Sequence, residues 1–448
     1  MCIRDRNRLL TNENSDGSRW AAGRQRSAVK KAMTMMNATI ASRAGDCSAT
    51  LSTKSRAARA GSAAAVSRLR FFSPFFFTVS QHSLTRTYAP RNTGDSVGGP
   101  LCVNRITFGY STSMSREEVL VMWDESLTEY NFGPHHPMHP LRLDLTAKLS
   151  QDFGLFDASN IHIESVPQVD EEALARLHTQ EFIDAVKAAG ASSSISEEDQ
   201  QTYGVGTEDV PRFEQIHEAS GRLFQASIEA AKAITSGRYN RAVNFCGGMH
   251  HAMPGKAAGF CVYNDCAAAI QEFLDAGYER VVYLDLDAHH GDGTEHFFWD
   301  DPRVLTISLH ENGRFLFPGT GYASEIGGMK AAASAVNIAL PPRTSDADWL
   351  RALDGVVPQV IREFKPQAIV SQHGCDGHNL DPLTHLRLSV DAMRRAAEWV
   401  RDLAEEHADG KWLAVGGGGY AIIDVVPRAW TNLCLLYTSD AADDLLTV

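Results

Sequence analysis

The residues of this chain best suited to chemistry are Asp285, Asp287 and His289, followed at once by His290, Gly291, Asp292 and Gly293. They interrupt the stretch 281–298, VVYLDLDAHHGDGTEHFF, in which Val281, Val282, Leu284 and Leu286 are strand formers. Spacing of two on a strand puts Asp285, Asp287 and His289 on one face. Ionised carboxylates on a strand destined for burial cost several kcal/mol each unless a metal or partner neutralises them. An Asp-rich turn would explain one such residue. Three in phase point to a metal site, and oxygen and nitrogen donors of this kind suit zinc, with iron(II) as a substitute. Asp376, at the end of a neighbouring strand, supplies a third ligand and leaves room for water and substrate, which distinguishes a catalytic zinc from a closed structural one. Asp381 is the alternative ligand.

Two further groups fit such a site. His250 and His251 follow Gly-Gly-Met on a tight loop, and beside a metal they are candidates for general base and acid. Asp285 and Asp292 are available to fix their tautomers. The run Gly416–Tyr420, GGGGY, places a phenol where backbone can approach a ligand closely, suited to polarising a carbonyl as its oxygen gains charge. No lysine or helix start completes a phosphate-binding loop there.

The elements that must position these residues alternate between strand and helix, the pattern of a parallel sheet covered on both faces. Strands are expected at Val119–Trp123, Ala242–Cys246, Val281–Leu286, Val304–Leu309, Ala335–Leu340, Ala368–Gln372 and Trp412–Val415. Helices are expected at Leu141–Leu149, Glu171–Leu177, Glu181–Ala188, Phe213–Thr235, Asp265–Asp275, Ala347–Arg362 and Val390–Glu406. Ser192–Gln201 reads as a polar loop, and Gly204–Pro211 as a second loop carrying Glu208 and Asp209. Ligands of open parallel sheets bind beyond the carboxyl ends of the strands. His250–His251, Asp287–His289, Ser308–His310, Asp376 and Tyr420 all fall at such ends, so five strands deliver to one rim.

Composition constrains the rest. Of the 42 Lys/Arg, 17 precede Met114, but only 5 of the 55 Asp/Glu do, which leaves 25 basic against 50 acidic residues in the remainder. So acidic a body argues against nucleic acid as a direct partner. The eight cysteines form no CxxC pairs, as expected of reduced thiols in the cytoplasm. No apolar run reaches the length of a membrane span. Residues 1–113 are rich in Ser, Ala and Arg and lack periodicity, as in a disordered segment, a transit peptide or upstream translation foreign to the domain. Residues 114–433 carry the patterned sequence. The tail 434–448, like the opening MCIRDR, resembles translated adapter sequence.

Taken in order, GGMHHA (247–252), GFCVYND (259–265), DLDAHHGDG (285–293), SLH with FPGTG (308–321) and GGGGY resemble the zinc-dependent histone deacetylase family. YNFGP and HPMHP (130–140) look most like its bacterial acetoin-utilisation branch. The resemblance implies the arginase/deacetylase fold, an α/β three-layer sandwich with an eight-stranded parallel sheet flanked by helices, and hydrolysis of the acetamide of acetyl-lysine in proteins. It implies zinc on Asp287, His289 and Asp376, His250 paired with Asp285, His251 paired with Asp292, and Tyr420 as the catalytic tyrosine. Gly259, Phe260 and Phe317 match the substrate tunnel, and Asp209 matches a rim carboxylate that holds the substrate backbone. Asp285, Asp287, His289, Ser308 and Leu309 match the surroundings of a structural potassium ion. An acyl-CoA synthetase is the implied acetylated partner, and acetylpolyamines are the alternative substrate. A non-catalytic acyl-lysine-binding protein is the third reading. His135 stands where relatives commonly have a small residue, at one wall of the entrance. Related domains also continue well past the tyrosine, so a domain shortened at its C-terminus is expected.

Overall fold

A computed structural model describes residues 118–192 and 194–436. The expectations for 1–113 and for 437–448 lie outside those residues. Eight strands form one all-parallel sheet. They are β1 (Val119–Met122), β2 (Ile161–Glu164), β3 (Arg241–Asn244), β4 (Val281–Asp285), β5 (Val304–Glu311), β6 (Ala335–Leu340), β7 (Ala368–Gln372) and β8 (Trp412–Val415). Their order across the sheet is β2-β1-β3-β8-β7-β4-β5-β6. Inner strands such as β1, β4 and β7 are buried at every residue, as continuous runs of Val, Ile and Leu require. The edge strands β2 and β6 are only partly covered.

Among the described residues there are ten α-helices: α1 (Leu141–Asp152), α2 (Glu171–Leu177), α3 (Gln180–Ala191), α4 (Glu197–Tyr203), α5 (Ile216–Thr235), α6 (Asp265–Asp275), α7 (Asp292–Phe297), α8 (Asp346–Phe364), α9 (Val390–His407) and α10 (Val426–Leu435). Small side chains let α5 and α6 lie close together: Ala226, Ala230, Ala267 and Ala268 are all buried. Half of these helices start with a side-chain cap. Asp170, Thr179, Asn264 and Ser389 each accept a backbone N–H in the first turn of the helix that follows.

Several elements depart from the reading of the sequence. Part of the expected loop 192–201 is α4, whose first turn holds Glu197, Glu198 and Asp199 behind the capping hydroxyl of Ser196. Acids there suit the helix dipole, but the helix buries no residue and so shows no apolar period. The helix expected from Phe213 starts at Ile216. Strand β4 stops at Asp285, so Asp287 and His289 do not share its face. A turn orients them instead: Asp285 Oδ1 accepts the Asp287 N–H at 3.1 Å, and Asp287 Oδ1 accepts the His289 N–H at 3.0 Å. Helix α10 runs through Leu433 to Leu435, with Cys434 and Leu435 buried. Among the described residues no helix is long and apolar enough to cross a membrane.

Candidate active site and metal centre

The five strand ends that carry polar residues belong to β3, β8, β7, β4 and β5, which are consecutive in the sheet. Chain order scatters these residues over 170 positions, and the topology gathers them on one rim. Beyond β3 the backbone turns sharply at Gly248, whose φ is +96° and where a Cβ would lie 2.5 Å from the carbonyl oxygen of Gly416. The buried carboxylate of Asp265 holds this turn by accepting the N–H groups of Gly248 (3.0 Å) and Met249 (2.7 Å). Asn264 donates to the Ala252 carbonyl at 3.0 Å. The loop therefore presents His250 and His251 from a fixed frame.

Each imidazole meets a carboxylate through Nδ1. His250 lies 2.7 Å from Asp285 Oδ2, and His251 lies 2.7 Å from Asp292 Oδ1. Their Nε2 atoms are 3.1 Å apart, so one must donate to the other. Burial opposes charge on His250, yet Asp285, Asp287 and Asp292 outweigh it and raise its pKa from 6.5 to about 9. Burial, with the charge on His250, lowers that of His251 to about 4. His250 therefore favours the protonated form and His251 the neutral one, with the His250 Nε2–H donating to His251 Nε2.

Asp287, His289 and Asp376 each offer a ligand atom, all within 4.8 Å of one another and all buried. Asp287 Oδ2 accepts Gln372 Nε2 and the Gly418 N–H, each at 2.8 Å. Asp376 Oδ1 accepts the Ala288 N–H at 2.9 Å. Asp376 Oδ2 is left facing His289 Nδ1 at 2.7 Å. Burial alone would lift both carboxyls. His250 and His289 hold Asp287 well below the usual range, while burial and the Asp287 charge raise Asp376 to about 6. Burial disfavours a charged His289, but Asp376 and Asp287 raise its pKa well above 6.5, so positive charge is demanded at this point. Two glycines keep the space open: a Cβ on Gly418 would lie 2.3 Å from Asp376 Oδ2, and one on Gly374 would lie 1.9 Å from Asp287 Oδ2. An O, N, O donor set with second partners on both carboxylates fits a zinc-type cation.

Asp381 stands apart from this triad. Its oxygens accept the N–H groups of Leu383 (3.0 Å) and Tyr420 (2.8 Å), so it fixes the backbone that carries the phenol. Tyr420 is buried, and burial, followed by Asp376 and Asp287, lifts its pKa well above 10. Arg142 Nη1 donates to the Gly417 carbonyl at 2.8 Å and anchors the glycine run from beneath. The Phe260 ring lies edge-on to Tyr420 at 5.6 Å, and the Phe317 ring edge-on to His251 at 4.9 Å. Gly259 fills the gap between His251 and Phe317, where a Cβ would meet ring atoms at 2.3 and 2.9 Å. Its N–H donates to Asp209 Oδ2 at 2.8 Å. The ring stacked edge-on against Phe260, at 4.5 Å, belongs to His136, while the adjacent His135 is exposed. Ser308 pairs in register with Asp285, and Leu309 is buried behind it.

Sequence reasoning did not assign Asp265, Gln372, Arg142 or Tyr130, whose hydroxyl donates to the Phe260 carbonyl at 2.7 Å. Only the ND of GFCVYND hinted at Asp265; the other three are recognised by partners distant in the chain.

The family model of the histone deacetylase domain matches residues 136–436. The acetoin utilization protein AcuC of Bacillus subtilis is 42% identical over 320 residues, covering 71% of this chain and 82% of that protein. AcuC of Staphylococcus xylosus is 37% identical over 314 residues, covering 70% and 81%. An HDAC homolog crystallised with SAHA superposes with a TM-score of 0.65 at 29% identity, covering 74% of this chain and 88% of that one. An HDAC homolog from Aquifex aeolicus gives 0.65 at 27%, covering 74% and 89%. With its eight-stranded parallel sheet, its buried O, N, O triad and its two histidine–carboxylate pairs, the chain belongs to the histone deacetylase family, in the acetoin-utilisation branch, and is a deacetylase-type hydrolase of amide bonds.

Proposed function

We propose that this protein hydrolyses the acetamide of N6-acetyl-lysine in cytoplasmic proteins, an acyl-CoA synthetase among them, releasing acetate and the free amine. The observation that carries this reading is the pair of adjacent imidazoles, each held on a carboxylate through Nδ1, beside the buried triad. Asp287, His289 and Asp376 would hold a zinc ion, which when bound would supply a Lewis acid for the amide carbonyl and for water. The histidine pair takes a proton from the attacking water, with His251 Nε2 turning from the His250 N–H to receive it while Asp292 holds Nδ1. The C–O bond forms, the C–N bond breaks, and the proton held by the histidine pair passes to the departing nitrogen. Tyr420 keeps its proton at neutral pH, so its hydroxyl donates to the carbonyl oxygen as charge develops there. Phe260 and Phe317 make an apolar wall for a neutral acyl-lysine, and a charged lysine is disfavoured there. Asp209 holds the substrate backbone at the rim. Asp285, Asp287, His289, Ser308 and Leu309 would hold a potassium ion, which would brace the floor of the site.

An acetylpolyamine is the rival substrate, favoured by the exposed Glu208 beside Asp209 at the entrance. The test is turnover of an acetyl-lysine peptide and an acetylated polyamine side by side, with and without chelator. Chelator-sensitive release of acetate from the peptide alone supports the proposal. Release from the polyamine alone overturns it, and turnover of neither by metal-loaded protein removes both substrates.

A further inference from the structure

The domain carries about twice as many acids as bases, and many of its surface arginines sit on carboxylates, as Arg238, Arg303 and Arg351 do. Among the described residues Arg314, Arg343, Arg362, Arg387 and Arg428 are exposed without an ion-pair partner. Of these, Arg314, Arg343 and Arg387 fall on neighbouring loops. They come from the loops after β5, β6 and β7, and hydrogen bonds knit those loops together. The Asn312 N–H donates to the Leu340 carbonyl (2.8 Å), the Arg343 N–H to the His385 carbonyl (2.8 Å), and the Arg387 N–H to the Thr344 carbonyl (3.0 Å). Two carboxylates beside these loops, Glu311 and Asp346, are already engaged. Glu311, buried, accepts both the N–H and the ring Nδ1 of the exposed His385, at 2.8 Å each. Asp346 accepts the N–H (2.8 Å) and hydroxyl (2.7 Å) of Ser389.

The patch is joined to the active site on two sides. Arg314 lies three residues before Phe317, at most about 11 Å along an extended chain, and between them Phe315 is 60% exposed. The loop that carries His385 and Arg387 also carries Asp376, whose backbone carbonyl accepts the Thr384 hydroxyl. Unpaired guanidiniums at the rim of an otherwise acidic body attract carboxylates by charge and by their forked donors. They repel a polycation.

We infer that Arg314, Arg343 and Arg387 form a docking patch for acidic residues flanking the modified lysine of a protein substrate. The inference rests on the proposed function and narrows it to acetyl-lysines in acidic sequence, with the acids about two to four residues from the lysine.

The experiment uses the metal-loaded protein and three acetyl-lysine peptides that differ only in carrying Glu, Gln or Lys at those flanking positions. At low ionic strength the Glu peptide is expected to exceed the Gln peptide in kcat/KM by roughly tenfold, with the Lys peptide below both. The difference should lie in KM, leave kcat unchanged and fade in about 0.5 M salt. Arg343→Gln with Arg387→Gln should level the series while keeping turnover of the Gln peptide. Arg343→Glu with Arg387→Glu should invert it. Equal kcat/KM for the three peptides with the unmodified protein, or an undiminished preference in the Gln variant, overturns the inference and leaves the proposed function standing. If no peptide is turned over, the proposed substrate fails; anisotropy of labelled Glu and Lys peptides then reads the patch by itself, and equal affinities overturn it.

Discussion

Tyr420 and Asp292 play separable parts, and single-atom changes tell them apart. Removing the Tyr420 hydroxyl takes away one donor to the developing charge, so Tyr420→Phe should lower kcat by about 10²–10³-fold. Metal content and melting temperature should stay near those of the parent, and a non-catalytic binder of acyl-lysine would keep its affinity. Asp292→Asn acts at one remove. The carboxylate receives the proton on His251 Nδ1 at 2.7 Å, whereas an amide can equally donate and so permits the tautomer with no lone pair on Nε2. A loss of about 10²–10⁴ in kcat with unchanged KM is expected from steady-state kinetics. Equal loss in kcat and in metal content would instead make Asp292 a structural support of the triad.

Loops placed by parallel strands set the geometry of the site, and Gly259 shows how little slack they have. Its φ of +55° and the 2.3 Å approach of a Cβ to His251 mean that Gly259→Ala must shift the histidine, the Phe317 ring or the loop. A stability loss of about 1–3 kcal/mol and a fall in kcat well beyond any change in metal content are expected from denaturant melts, kinetics and metal analysis of the same preparation. Most of these elements were legible in the sequence, because buried β-strands and amphipathic helices write their periods into it; β6, β7, β8, α2 and α6 have the expected bounds. Helix α10 escaped despite burying one face, and the other missed elements lacked such a signal. Strand β2 is four residues at an edge, α7 is six residues long, and α4 buries nothing. The same limit held within the site. Asp287, His289 and Asp376 stand out because acids and histidines at strand ends are unusual, whereas Gln372 and Arg142 are ordinary until the fold brings Asp287 and the Gly417 carbonyl against them.

For the molecule as a whole, buried histidines that the chemistry does not use set the response to acid. His178 Nε2 accepts the Asn264 N–H at 3.0 Å, and burial lowers its pKa to about 4; burial lowers that of His373 to about 3. Unfolding frees both to titrate near their ordinary value of 6.5. Their contribution is therefore complete above pH 6.5 and is lost as pH falls towards the folded values, at about 1.4 kcal/mol per histidine per pH unit. Urea midpoints should drop steadily from pH 6.5 to 5, and a flat profile across that interval would contradict this account. The order of the sheet governs how the molecule is made. Strand β8 is the last of the eight to leave the ribosome, yet its place is between β3 and β7. Until it pairs, β3 and β7 lack a neighbour on one side, so the strands β2-β1-β3 and β7-β4-β5-β6 join into one sheet, and the site into one rim, only when β8 inserts. The unfilled slot is where a chaperone, or a stray strand from another chain, would engage.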